Sequence, residues 1–451
     1  MRMNQPVRVI RIVVPVLCCA VFGWWLSKQD SILSLGTLSA LLSAGLFALA
    51  LTAALSRLAD GRFDGPAPSC SPADTPRQRL RALGLLVGFG VVVTLGQYIV
   101  VYLLSRPQGD FLHSFHQLYY RSDVAHYMGI ARHWYVNAGD ERLRLVFLPL
   151  YPLAIRLTTW QGDYFTGALI AAQVFSLALL PAAYELFRVD LDRRSAMACA
   201  RVLFLLPGAA FLRVPMSESL FLLLTLLGVL FARKKRFLLA GLFTALSALT
   251  RALGVLLLGL LSLEMLSAFL DEYKKDKQGA LRRVPVYLAS LMLGCCGTLL
   301  YLFINWQVSG HPLTFLTYQR ENWNQGLGLF FNTTAYQTEY ALSFWKAKDL
   351  EELISLSLPN LLCCFGVLGL LCYDRKRMRL SYLAWMLIYY ALSVGATWLL
   401  SGPRYLAMLF PLALSIQRLT KTKAGDLITE TALFALQTGY LLMLALDMSV
   451  Y

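Results

Sequence analysis

Charge is scarce in this chain. Only 15% of its 451 residues are Asp, Glu, Lys or Arg, against about a quarter in a soluble protein. That deficit excludes an ordinary water-soluble globule and points to lipid as the main solvent. Acidic residues are the scarcer, 26 against 41 basic, which leaves a formal charge of +15. The excess does not indicate nucleic acid, because the basic residues form short clusters between apolar runs rather than one charged face. No C-x-x-C spacing occurs, and the nine cysteines fall mostly inside apolar runs, several as adjacent pairs. They read as apolar filler, neither disulfide framework nor metal site, and no metal or cofactor is expected. No internal repeat is visible, which counts against a transporter built on inverted repeats. No small-residue cleavage site follows Arg2, Arg8, Arg11 and the apolar stretch after them, since Trp24, Trp25 and Leu26 lead straight to Ser27 and Lys28. The stretch reads as an uncleaved first span.

What is present is apolar sequence: 57% of residues are hydrophobic, with a mean hydropathy of +0.57. Runs of roughly 17–25 apolar residues, each able to cross the hydrocarbon core, recur along the chain. An all-α polytopic membrane protein follows, expected as one membrane domain over 1–451. Thirteen spans are predicted, near 9–26, 32–55, 82–104, 164–187, 195–212, 217–231, 237–250, 252–270, 284–306, 358–373, 380–400, 404–419 and 427–448. The N-terminus and the connections 57–81, 188–194, 233–236, 274–283, 375–379 and 418–423 hold 27 of the 41 basic residues. All fall on one side if the N-terminus is cytoplasmic and spans alternate. That sidedness requires 237–270 to be two short helices meeting near Thr250 and Arg251. Two long connections, 105–163 and 307–357, then reach the non-cytoplasmic side. In the first, Val124, Tyr127, Ile130, Ala131 and Trp134 recur at helical spacing, which predicts an interfacial helix; aromatic residues scattered among polar ones give the second a similar character.

The first connection holds the longest polar interruption in this half, Tyr119 to Pro152, with Arg121, Asp123, His126 and Arg132. The topology brings Asp123, His126, Glu218, Arg251 and Arg404 to the same membrane face. Ionisable groups at span ends are costly unless paired or useful. Together they supply a carboxylate to take a proton from a hydroxyl and cations to stabilise a departing phosphate. Each has a plainer reading as well. Asp123 suits a helix cap or a partner for Arg121, and His126 a surface position. Glu218 suits a helix start, and Arg251 and Arg404 suit snorkelling to headgroups. Residue chemistry alone supports a membrane enzyme or a transporter.

The stretch DVAHYMGIA (123–131) followed by FLPLYPLAIRL (147–157) resembles the signature loop of the second GPI mannosyltransferase family and its bacterial relatives. Four further stretches are similar in the family's order: SESLFLLLTLLG (217–228), TRALGVLL (250–257), GHPLTFLTYQRENW (310–323) and GPRYLAMLFPL (402–412). The chain departs from that pattern at Ser122, where the family has Trp, at Ala252-Leu253-Gly254 and at His311. The resemblance implies a GT-C membrane glycosyltransferase fold and inverting transfer of a sugar, mannose by analogy, from a polyprenyl-phosphate donor. The acceptor, a glycan, glycolipid or protein, would offer a hydroxyl at the non-cytoplasmic face of a cell membrane. It implies Asp123 as general base; Arg121, His126, Glu218, Arg251, Arg404 and Tyr405 as pocket or phosphate contacts; and Tyr151, Gln319 and Trp323 as acceptor or loop contacts. A transporter or flippase of a lipid-linked glycan is the alternative.

Overall fold

A computed structural model describes residues 5–29, 31–65, 74–105, 111–120, 123–397, 399–420 and 422–450. The chain opens with α1 (Gln5–Leu26), α2 (Leu35–Ala59) and α3 (Pro76–Ser105). The first long connection folds into α4 (Phe111–Tyr119), α5 (Val124–His133), a 3-10 segment (Asp140–Val146) and α6 (Leu150–Thr158). An inner group follows: α7 (Tyr164–Phe187), α8 (Arg193–Leu205), α9 (Glu218–Arg233), α10 (Phe237–Ala248), α11 (Leu257–Tyr273) and α12 (Lys277–Ser309). The second long connection carries α13 (Thr314–Trp323) and α14 (Phe330–Ala347). A single turn, α15 (Leu350–Glu352), runs through a π-helical segment into α16 (Leu358–Asp374); then come α17 (Leu380–Val394), α18 (Gly402–Leu406), α19 (Pro411–Thr420) and α20 (Lys423–Ala445). Among the described residues there is no strand beyond one isolated bridge, Leu327 to Ala396.

Eight of these helical stretches are long and apolar enough to cross a membrane: 5–26, 35–59, 76–105, 164–187, 252–273, 277–309, 350–374 and 423–445. Large apolar side chains point outward along them, among them Ile12 at 65% exposed, Val92 at 70% and Met292 at 65%. In water such a coat would be an aggregation surface; lipid is the solvent that accommodates it. The protein is an all-helical, multi-pass membrane protein.

The other five expected spans come out short or broken. The run 195–212 ends as helix at Leu205 and continues as a 3-10 turn from Pro207 to Leu212. The run 404–419 is divided between α18 and α19, with Pro411 opening the second piece. The break required near Thr250 and Arg251 falls between α10 and a 3-10 turn at Ala252–Leu256. Proline lacks the N–H that would continue a helix, and the freed backbone groups must be buried in protein or line a cavity. The piece around Pro207 is deeply buried: every residue from Leu203 to Leu206 and from Gly208 to Leu222 is buried. α14 also differs from the surface helix its composition suggests. It packs along α2, where Ser43 Oγ meets Thr334 Oγ1 at 2.8 Å, and Trp25 Nε1 at the end of α1 donates to Asn332 at 3.0 Å.

The basic connections are fastened to one another. Arg57 donates to the carbonyls of Arg375 and Met378, Asp74 takes Arg188 and Arg193, Arg233 pairs with Asp190, and Arg379 pairs with Glu264 and Asp64. They gather at one end of the bundle. α9 begins at Glu218 and ends at Arg233, so this end lies about 24 Å from the other at 1.5 Å per residue.

Candidate active site

At the opposite end, residues remote in sequence meet where the broken helices turn. Arg404, in the first turn of α18, reaches two carboxylates. Its Nη2 donates to Asp123 Oδ2 at 2.9 Å, and its Nε donates to Glu218 Oε1 at 2.5 Å. Arg251, in the break between α10 and α11, donates from Nη1 to the same Glu218 oxygen at 2.5 Å and to Ser217 Oγ at 3.3 Å. Two carboxylates face two guanidiniums, so the group is balanced. Glu218 is wholly buried, the Arg404 side chain is 6% exposed and Asp123 is 26% exposed. The open member is Asp123.

The plainer readings of these residues do not describe what they do. Asp123 stands at the N-cap of α5, yet its side chain caps nothing there; it turns to Arg404. Glu218 opens α9, where the helix dipole favours a carboxylate, but its partners are Arg404 and Arg251 rather than backbone N–H groups. Neither arginine snorkels. Their guanidinium carbons lie 5.5 Å (Arg251) and 5.9 Å (Arg404) from the Tyr405 ring centre, and Arg404 also covers Phe211 at 5.3 Å. Flat cations over aromatic faces are favourable when water is excluded.

Close backbone contact sets the position of Arg404. A Cβ at Gly208 would meet the carbonyl oxygen of Pro403 at 1.8 Å, and one at Gly402 would meet Asn360 Oδ1 at 2.7 Å. The turn after Pro207 therefore lies directly on the backbone that carries Arg404, an approach only glycine permits. Asn360 Oδ1 accepts from Gly402 N at 2.8 Å and holds the start of α18. On the other flank Ser217 Oγ meets Tyr127 OH at 2.8 Å, which ties α5 to the start of α9.

The remaining expected residues are distributed less evenly. His126 stacks on Phe147, with ring centres 4.8 Å apart, and sits edge-on to Trp323 at 6.1 Å. Burial lowers its pKa below the ordinary histidine value, Asp123 works against that, and Arg144 adds to it. Its ring forms an aromatic patch with Phe147 and Trp323. Tyr151, expected as an acceptor or loop contact, is fully buried; its hydroxyl donates to the Ala168 carbonyl at 3.0 Å, and its ring lies edge-on to Tyr127. Gln319 is half-buried on α13, with no hydrogen bond to the ion cluster among the described residues. Arg121 lies outside the described residues. Tyr127, Ser217, Phe147, Phe211, Gly208 and Asn360 serve the site without standing out by charge. Tyr127, Phe147 and Ser217 fall in the stretches singled out above, and the Pro207-Gly208 pair carries the signal of a turn.

A cavity of about 430 Å³ lies nearby, lined by residues of α3, α4 and the end of α20 that include Tyr98, Tyr102, His116, Tyr120 and Asp447. Neither Asp123 nor the two arginines line it. Among the described residues no three His, Cys, Asp or Glu side chains gather as metal ligands. No family model, curated protein or solved structure matches the chain.

Proposed function

We propose that the protein is a GT-C-type membrane glycosyltransferase, moving a sugar from a polyprenyl-phosphate donor to an acceptor hydroxyl, with mannose the sugar implied by family resemblance. The observation that carries this reading is the Asp123–Arg404–Glu218–Arg251 cluster. It joins a partly exposed carboxylate to two guanidiniums held by a second, buried carboxylate. The chemistry needs those parts. The acceptor oxygen bonds to the anomeric carbon as the bond from that carbon to the donor phosphate breaks, with inversion. The hydroxyl proton passes to Asp123. The phosphate leaves with the bonding electron pair, and Arg404 and Arg251 stabilise the charge. Glu218 orients both arginines from below. The N-terminus and basic connections are assigned to the cytoplasm by the rule that basic loops stay inside, which puts the cluster at the non-cytoplasmic face, the short helices completing the crossings between.

Arg404 Nη2 donates to Asp123 Oδ2, so neutralising that carboxylate leaves more of the guanidinium charge for a donor phosphate. Asp123→Asn is expected to cut transfer by about 10²–10⁴-fold, the usual worth of a general base, and to leave donor binding equal or tighter. The measurement is transfer from a panel of radiolabelled polyprenyl-phosphate sugars into lipid and polymer extracts, beside donor binding by the same protein. Wild-type protein that binds the donors and transfers from none of them would favour the transporter reading and end this one.

A further inference from the structure

Arg213 has no place in the cluster above. It follows the Pro207–Leu212 turn and is 1% exposed, one of the largest fully buried side chains. None of its three guanidinium nitrogens has a hydrogen-bond partner, and no carboxylate pairs with it among the described residues. Phe204 lies under the guanidinium, 5.3 Å from its ring centre, and Tyr119 is the ionisable neighbour within electrostatic reach. Its main chain is well held: Arg213 N donates to Ala210 O, and Gln173 Nε2 donates to Arg213 O at 2.9 Å. A well-held backbone thus presents a cation to an apolar interior with no carboxylate among the described residues to balance it. The other buried arginine behaves differently: Arg404 is paired with carboxylates, as are the partly buried Arg233 and Arg379. Burial of an uncompensated charge is among the costliest arrangements in a protein, and an anion from outside the chain removes the cost.

We propose that Arg213 is the seat of a second anion, a phosphate group, bound separately from the Arg251–Arg404 pair. A guanidinium fork suits two phosphate oxygens. The surroundings favour a phosphate attached to a lipid. Tyr119 shares a hydrophobic cluster with Tyr98, Phe211 and Val214, and its chain neighbours Leu118 and Tyr120 line the 430 Å³ cavity. On α3, which supplies Tyr98 and Tyr102 to that cavity, Leu103 and Leu104 are over 60% exposed on the outward surface. A headgroup arriving from the lipid side in this cavity meets Leu118 and Tyr120, the chain neighbours of Tyr119, which is within electrostatic reach of Arg213. Free phosphate has the same recognition chemistry, and the test separates the two sources. The inference concerns binding and stands independently of the transfer reading.

The test is thermal unfolding of purified full-length protein in phosphate-free buffer, titrated with inorganic phosphate or with phosphatidylcholine vesicles that do or do not contain phosphatidic acid. Wild-type protein is expected to unfold later with one of the phosphate sources, at a chloride-matched ionic strength. In Arg213→Met that response is expected to weaken by at least about tenfold, since the charge-assisted fork is gone. A response to phosphatidic acid alone identifies a lipid phosphate, and one to both sources identifies the group itself. Equal responses in wild type and Arg213→Met would overturn the proposal, as would wild-type protein indifferent to both sources. Where Arg213→Met yields no folded protein, Arg213→Lys keeps the charge and loses the fork. A response undiminished in that variant counts against the proposal, and a weakened one supports it.

Discussion

At the basic end of the bundle, Glu264 and Asp190 are engaged on both oxygens, although Asp374 Oδ1 there is buried without a partner. Glu264 takes Arg379 on both oxygens, at 2.6 and 2.8 Å, and Ser381 on one of them. Asp190 takes both terminal nitrogens of Arg233. These pairs join neighbouring connections, and nothing further is invited in. At the other end both arginines crowd onto a single oxygen of Glu218, and Glu218 Oε2, though buried, has no partner. Asp123 remains partly open beside them. Ion pairs of the first kind hold the helices in register. A buried polar group left half-satisfied costs stability without adding order, so one that persists beside an open carboxylate marks a place where another ligand completes the arrangement.

The largest expected effect lies at Glu218. Glu218→Gln leaves two buried guanidiniums facing each other without a full counter-charge, and destabilisation of about 3–5 kcal/mol is expected, as for other broken buried pairs. Unfolding in detergent measures it. Transfer by the folded fraction should be lost as well, because Arg404 and Arg251 lose the group that aims them. A Glu218→Gln protein as stable and as active as wild type would erase the distinction between the two ends. Glu264→Gln is the matched change at the basic end. There Arg379 keeps Asp64, so a smaller loss, about 2 kcal/mol, is expected for a hydrogen bond to a charged group. Transfer per folded molecule should stay unchanged. A Glu264 variant that folds and has lost transfer would mean the ends are coupled.

Much of this arrangement is legible in residue order. Spacing of Val124, Tyr127, Ile130 and Ala131 gives a helix with one apolar face, and in the structure that face is buried in α5 within the protein rather than laid on lipid. The break at Thr250 and Arg251 follows from charge alone: a single long helix over 237–270 would have put later basic connections on the wrong side. Convergence of Asp123, Glu218, Arg251 and Arg404 follows from the same alternation. What stays hidden depends on tertiary contact. Nothing in the run around Gly208 announces that a backbone lies against it, and nothing around Tyr151 announces that Ala168 accepts its hydroxyl. Arg213 reads as an unremarked basic residue between apolar runs; its lack of a partner exists only once the helices have closed around it.

His126 offers the finest distinction, because it touches the cluster electrostatically while packing as an aromatic. Burial disfavours its imidazolium, so its pKa in the folded protein lies below that of the unfolded chain. Between those two values the unfolded chain binds more protons, and stability falls as pH drops through that window. His126→Phe keeps a ring against Phe147 and removes the titration. The difference in unfolding midpoint between pH about 7.5 and about 5.5, on either side of the ordinary histidine value, should therefore shrink in the variant. Transfer at neutral pH should change little if the ring serves only as part of the patch with Phe147 and Trp323. A collapse of transfer at neutral pH, with stability unaltered, would instead show a hydrogen-bonding role for the imidazole. It would move His126 from the packing around the site into the cluster itself.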